Sequence, residues 1–260
     1  VLLEFPSVGA TENLMMAAVL ATGTTIIENA AREPEITDSA NFLSQMGATI
    51  DGLGTSRLTV EGVEVLRPTT YTVIPDRVEA ATFLSAVAVC GGELLLKGAR
   101  SDHMEMLIRK LEEMGMSLAA EPSGLRVEVR NRLRAVDIST LPYPGLATDY
   151  KPFLVTALCV AEGAGMVTEN IFAGRFRYID ELVRMGAEIR AEGRHAVVRG
   201  VERLSGAPVR AHDIRAGAAL VVAGLVAEGE TVISDAHHVD RGYEDLAGKL
   251  ASVGALVTRT

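Results

Sequence analysis

Three residue types with no packing chemistry in common occupy one recurring place in this chain. Gly9, Asp149 and Arg215 each stand fourteen residues before a glycine (Gly23, Gly163, Gly229) that separates an apolar helical run from a β-rich one. Packing alone would not accept a bare backbone, a carboxylate and a guanidinium in turn; Val78 holds the same place before Gly92. The place falls in the first turn of a helix, where backbone N–H groups point outward and the positive end of the dipole favours anions. Gly9, within Ser7-Val8-Gly9-Ala10-Thr11, lets a phosphate approach the backbone. Arg215 offers a fork of donors for carboxylate or phosphate. Asp149 is a carboxylate able to take a proton from a hydroxyl. An ordinary helix entry accounts equally well for Ser7 and Gly9, and a dipole partner for Asp149.

Two places earlier stand the N-cap types Ser7, Asp76 and Asp213, with Ala147 breaking the series. Asp76 is followed by Glu79 at the spacing of a capping box, in which each side chain bonds the other's backbone N–H. Capping suffices for Asp76, with a ligand role as the alternative. Twelve residues after Gly163 and Gly229 come Arg175 and Arg241, each just before a second helix. Singly, such arginines are solvated or salt-bridged; at equivalent places they suggest convergence on one anionic cleft. The matching loop of the first segment, Arg32-Glu33-Pro34-Glu35, carries at Glu33 a carboxylate that accepts from a ligand or caps the next helix. His237, His238 and Asp240 lack the distant partner a metal site requires. No GxGxxG, Walker, GxSxG or CxxC string is present.

A repeat positions these residues. Gly23, Gly92, Gly163 and Gly229 are spaced 69, 71 and 66 residues apart, and each unit closes on Met46 to Ala48, Met114 to Met116, Met185 to Ala187 or Val253 to Ala255. The period exceeds the roughly 20 to 50 residues of most solenoid repeats. Each unit is therefore predicted to be a βαβαββ-like module carrying much of its own core, and the whole an α/β protein built by duplication. The first helices (Leu14 to Leu20, Phe83 to Val89, Phe153 to Val160, Ala218 to Val226) are nearly all apolar, which suits burial against a sheet. The second (Thr37 to Met46, Met104 to Met114, Tyr178 to Met185, Tyr243 to Val253) alternate charge with apolar i, i+3, i+4 positions and are expected to be half exposed. Leu2 to Phe5 reads as a strand, as do Arg57 to Val60, Leu125 to Val129 and Ala196 to Val198. Arg67 to Thr70 is a Pro-containing break.

Composition narrows the ligands. A net charge of −9 argues against a nucleic-acid surface, which demands clustered Lys and Arg; an anionic ligand must be held by a few placed arginines. The longest stretch without polar residues, Ala216 to Ala227, has 12 residues, short of the roughly 20 a membrane span needs. The two cysteines, Cys90 and Cys159, end equivalent apolar helices as small hydrophobes, and a reducing, cytosolic setting is expected.

The strings Ser7 to Asn13, Glu28 to Ile36, Ile74 to Arg77, Thr148-Asp149, Gly174-Arg175-Phe176, Asp213 to Ala216 and His238 to Glu244 closely resemble the UDP-N-acetylglucosamine 1-carboxyvinyltransferase family, and more distantly the shikimate-pathway enolpyruvyl transferase. The resemblance implies an inside-out α/β barrel of two domains, with three modules in each. Four of the six are present: residues 1–74 as the last module of the first domain and 75–260 as the three of the second. It implies transfer of the enolpyruvyl group of phosphoenolpyruvate to the 3-hydroxyl of UDP-N-acetylglucosamine, a step of peptidoglycan synthesis, with no metal or organic cofactor. It implies that Asp149 meets the sugar hydroxyl as a general base. Ser7, Val8, Gly9, Glu33, Asp76 and Ile171 would line the sugar-nucleotide site, Arg215 and Arg241 would hold phosphoenolpyruvate, Asp213 would orient or relay protons, and Arg175 would sit at the cleft mouth. The likeness covers only the last three-fifths of the family's length, without its Lys-Asn pair or its mobile loop with a reactive Cys. Phe5 also stands where some members carry Lys. The 260 residues alone are thus expected to show negligible turnover, the alternative being a catalytically silent paralogue that binds a UDP-sugar or a partner chain.

Overall fold

The computed structural model describes residues 1–259. The repeat glycines explain its periodicity. Gly23, Gly92, Gly163 and Gly229 all take left-handed backbone, with φ from 86° to 97°, which a side chain would strain. Gly47, Gly115, Gly186 and Gly254 do the same at the ends of the second helices. There the N–H of the next residue (Ala48, Met116, Ala187, Ala255) reaches back to the carbonyl of Leu43, Leu111, Leu182 or Leu250 at 3.0 to 3.1 Å. Four identical Schellman closures satisfy helix-end carbonyls and turn the chain back.

The chain forms two units, Val1–Pro75 with Pro142–Gly145, and Asp76–Leu141 with Leu146 onward. In the first unit α1 (Val8–Ala18), β1 (Thr24–Glu28), α2 (Pro34–Gln45), β2 (Thr49–Asp51) and β3 (Arg57–Glu61) make one module. Its antiparallel sheet runs β1-β3-β2 with Ile27 opposite Leu58, both fully buried. The expected opening strand shrinks to one parallel bridge between Leu2 and Glu28, since the chain turns left-handed at Asn29 (φ 56°), whose side chain donates to the Leu3 carbonyl at 2.9 Å while Ala30 N turns to Ser56.

The second unit contains α3 (Arg77–Cys90), β4 (Gly92–Lys97), α4 (Glu105–Met114), β5 (Ser117–Glu121) and β6 (Gly124–Val129), then β7 (Ile138–Ser139), α5 (Lys151–Cys159), β8 (Ala164–Thr168), α6 (Ile179–Arg184), β9 (Glu188–Glu192) and β10 (His195–Arg199). It continues with β11 (Leu204–Ser205), β12 (Pro208–Arg210), α7 (Ile214–Val226), β13 (Ala227–Glu228), β14 (Val232–Ser234), α8 (His237–Asp240) and α9 (Leu246–Ser252). Two sheets run β4-β6-β5 and β7-β8-β10-β9, and two parallel pairs join β11 to β13 and β12 to β14. The fourth module departs from the expected plan: its β run splits at Gly229 into two short pieces, and no closing hairpin follows α9 among the described residues.

Helices α3, α5 and α7 are buried nearly all round because they pack on one another as well as on sheets. That mutual contact goes beyond the sheet packing expected from sequence. The second helices are amphipathic: α4 buries Leu107, Leu111 and Met114 and leaves Glu105, Glu112 and Glu113 exposed.

Candidate active site

The predicted N-caps are in place, and they aim the first turns. Ser7 Oγ accepts from Ala10 N at 3.3 Å, Asp76 Oδ1 from Val78 N and Glu79 N at 2.7 and 3.2 Å, and Asp213 Oδ1 from Ala216 N at 2.8 Å. The reciprocal capping box at Asp76 does not form. Glu79 instead pairs with Lys249 Nζ at 2.7 Å, since a cation outbids a backbone N–H for a carboxylate. Glu33 sits at the N-cap of α2 without a side-chain bond to it. Asp149 lies in a single 3-10 turn, Thr148–Tyr150, ahead of α5 rather than in its first α-helical turn. Pro152 has no N–H, and the Thr148 carbonyl takes the N–H of Lys151.

From that turn the half-buried Asp149 meets two of the four predicted arginine and aspartate partners. Its Oδ1 accepts from Arg175 Nη1 at 2.7 Å, and its Oδ2 lies 3.5 Å from Arg215 Nε. Arg215 lies over the Tyr243 ring, 5.6 Å from its centroid, and the Tyr243 hydroxyl meets Thr82 Oγ1 at 2.7 Å. Burial works against the Arg215 charge, but Tyr243, Asp149 and Asp76 outweigh it and raise its pKa. Its Nη1 is buried and has no hydrogen-bond partner. A guanidinium N–H in that state is a donor waiting for an acceptor. Asp213 is exposed beside it as the cap of α7. Arg241 is exposed at the end of α8, and the next residue, Gly242, packs on Ile214 and the Arg215 fork.

Behind Asp149 lies a polar cluster that composition and spacing did not reveal. Lys151 and Glu169 pair at 2.7 Å with no side-chain exposure. Glu169 also accepts from Thr140, Thr148, Ile171 N and Phe172 N. Burial pushes its carboxyl pKa up, but the bonds from Lys151, Thr148, Thr140 and Phe172 win and hold it at about 2. The available signal was a lone Lys opening the apolar run 151–161 and a lone Glu ending the β-rich one. Ile171, placed at the site by resemblance, is half-buried and bonded through its backbone to Glu169.

In the first unit Ser7, Val8 and Gly9 form the entry of α1, and no atom lies within 4 Å of where a Gly9 side chain would begin. Glu33 lines a pocket of about 250 Å3 with Arg32, Asn29, Ser56, Pro142 and Tyr143. Arg32 donates to the Tyr143 carbonyl at 3.0 Å across it. No group of His, Cys, Asp or Glu suited to a metal occurs among the described residues.

The profile described as EPSP synthase (3-phosphoshikimate 1-carboxyvinyltransferase) matches residues 1–250. The chain belongs to that family. Among curated enolpyruvyl transferases it is 52% identical over 257 residues to UDP-N-acetylglucosamine 1-carboxyvinyltransferase 1 of Caldanaerobacter subterraneus subsp. tengcongensis, covering 99% of this chain and 62% of the relative. It is 52% identical to the UDP-N-acetylglucosamine 1-carboxyvinyltransferase of Nocardia farcinica, covering 99% and 60%. Among solved structures, the enolpyruvyl transferase NikO from Streptomyces tendae superposes with a TM-score of 0.87 at 27% identity, over 96% of this chain and 60% of that one. The α/β fold is therefore that of the enolpyruvyl transferases. The chain spans about three-fifths of the length of the curated relatives it matches.

Proposed function

We propose that this chain carries part of the active site of a UDP-N-acetylglucosamine 1-carboxyvinyltransferase, acting in the cytoplasm on a precursor of peptidoglycan. The observation that carries the reading is the buried, unpartnered Nη1 of Arg215 beside the Asp149 carboxylate. A cation with a spare donor next to a proton acceptor fits one anionic substrate and one hydroxyl substrate.

In this reading Asp149 takes the proton of the sugar 3-hydroxyl, whose oxygen attacks C2 of phosphoenolpyruvate while C3 gains a proton. Loss of that proton and of phosphate then restores the double bond as the enolpyruvyl ether. Arg215 and Arg241 hold the phosphate and carboxylate of phosphoenolpyruvate, and Asp213, exposed beside them, orients groups or relays protons. Arg175 holds Asp149 and closes the edge of the site. Ser7, Val8, Gly9, Glu33, Asp76 and Ile171 contact the sugar nucleotide. Fixed charges of this kind cost no reorganisation as phosphate leaves.

Asp149→Asn tests the assignment in the protein able to turn over. Turnover is expected to fall about 10²-fold or more, while calorimetry shows UDP-N-acetylglucosamine affinity nearly unchanged. Equal loss of both makes Asp149 a binding residue only. A second reading is a protein that binds the sugar nucleotide without chemistry. Titration with both substrates separates the two, using the chain completed by the roughly two-fifths of its relatives' length that it does not span. Phosphate release supports the transferase, and sugar-nucleotide binding without release the second reading.

A further inference from the structure

We propose that the buried Lys151–Glu169 pair is a positioning device that fixes how Arg175 presents itself to Asp149; its bearing on catalysis rests on the reading above. Glu169 gathers four segments onto one carboxylate. Its Oε1 accepts from Thr140 Oγ1 at 2.8 Å, Ile171 N at 2.7 Å and Phe172 N at 3.1 Å, and its Oε2 from Thr148 Oγ1 and Lys151 Nζ, both at 2.7 Å. Lys151 then reaches the far end of the same loop. Its Nζ donates to the Arg175 carbonyl at 2.6 Å and lies 4.1 Å from the centroid of the Phe176 ring. The loop that bears Arg175 is thus held at both ends by one ion pair.

The pair also sets the direction of the hydrogen-bond chain. An ionised carboxylate only accepts, so the single hydrogen of the Thr148 hydroxyl is committed to Glu169. The lone pairs of Thr148 Oγ1 are left for Arg175 Nη1, which donates to it at 3.1 Å and to Asp149 Oδ1 at 2.7 Å. Thr148 and Asp149 are adjacent in one 3-10 turn, so Glu169 places both acceptors that grip the guanidinium. Nothing in Lys151 or Glu169 faces solvent, and neither touches the open side of the site. They act through Arg175 and Asp149.

The test follows the guanidinium of Arg175 by 15N NMR in the 260-residue chain. Lys151→Met with Glu169→Gln is expected to turn a slowly rotating, exchange-protected Arg175 signal into an averaged one, with Lys151→Arg restoring it. Thr148→Val cuts the relay while keeping the ion pair, and it decides the matter should the double variant not fold: it is expected to release Arg175 as well. An Arg175 signal unchanged in Thr148→Val, or in a folded double variant, overturns the proposal. In protein able to turn over, Thr148→Val should lower kcat about tenfold with KM for UDP-N-acetylglucosamine changed less than twofold, whereas a merely structural role leaves both unchanged. Should the wild-type protein not convert the two substrates at all while Thr148→Val still frees Arg175, the positioning stands and the transferase reading falls.

Discussion

Helices α1 and α7 are sisters in sequence and strangers in environment. Both start at an N-cap (Ser7, Asp213), place a distinctive residue in the first turn (Gly9, Arg215) and run apolar toward a left-handed glycine. Yet α1 buries only Thr11, Met15 and Ala18 and leaves Met16 and, just beyond its end, Leu20 more than half exposed, whereas α7 buries seven residues and α5 all nine of its own. The apolar run Leu14 to Leu20 is no more polar than Ala218 to Val226. The difference is company. α3, α5 and α7 come from three successive modules and pack together, while α1 has its own sheet and α2 to lean on. A module's first helix is completed by other modules, not by its own strands.

The widest gap between the two regions should appear in their cores. Leu220→Ala, at a fully buried position of α7, is expected to cost about 2–5 kcal/mol, and Leu20→Ala beyond α1 less than about 0.5 kcal/mol. Urea unfolding followed by far-UV circular dichroism measures both, and equal losses would mean that the face carrying Leu20 is covered in solution. Acid should separate the units next. The Glu169 carboxyl titrates near 2 in the folded chain against an ordinary 4.5, so its stabilisation is complete above about pH 4.5 and drains away as the pH falls toward 2. That amounts to roughly 3 kcal/mol. Glu169→Gln should flatten the acid limb of stability, while Glu28→Gln in the first unit, whose pair with Arg57 is half or more open to water on each side, should leave it unchanged.

What the sequence showed and what it hid divide along the same line. Backbone-determined features were legible: the repeat glycines, the three side-chain caps and the second helices all follow from local rules that a single residue announces. Asp149 and Arg215 were legible as chemistry because their types clash with their equivalent neighbours, and Arg175 because it matches Arg241 at the equivalent place. Their mutual contact was not, since it joins the 148–150 turn, the 170–176 loop and the first turn of α7, drawn from two successive modules and separated by up to one whole repeat of chain. Lys151 and Glu169 looked like isolated charges at the ends of apolar runs, and only long-range pairing makes either tolerable in a core. The mistaken capping box has the same cause. Glu79 had a local partner by spacing and took the distant Lys249 instead.

A smaller contrast sits at two glycines. A side chain at Gly242 would begin 2.5 Å from Ile214 Cγ2 and 3.3 Å from Arg215 Nη1, whereas one at Gly9 meets nothing within 4 Å. Gly242→Ala should therefore push the Arg215 fork away from Asp149 and, if the proposed function holds, weaken phosphoenolpyruvate binding about tenfold, roughly 1.4 kcal/mol. On the same proposal Gly9→Ala should leave folding and phosphoenolpyruvate binding as they are and weaken only the binding of UDP-N-acetylglucosamine. Calorimetric titration of each variant with each substrate reads the crossing pattern; a Gly242→Ala chain that binds phosphoenolpyruvate normally detaches Arg215 from that substrate.

The helix caps give the finest comparison. Asp213→Ala and Asp76→Ala should each cost about 1 kcal/mol, because a carboxylate at 2.7 to 2.8 Å satisfies an orphan N–H and meets the helix dipole. Ser7→Ala should cost only a few tenths of a kcal/mol, its 3.3 Å bond being long, neutral and exposed. The third module has Ala147 at this place and makes no side-chain cap. By the rule of its sisters Ala147→Asp should stabilise. Here it should not, because the helix entry already holds Asp149 two residues on, and a second carboxylate would compete for Arg175 and repel the first. Thermal unfolding of Ala147→Asp is expected to show no gain. A gain matching the loss in Asp213→Ala would mean that the entry of α5 is an ordinary helix start, with Asp149 no more than its dipole partner.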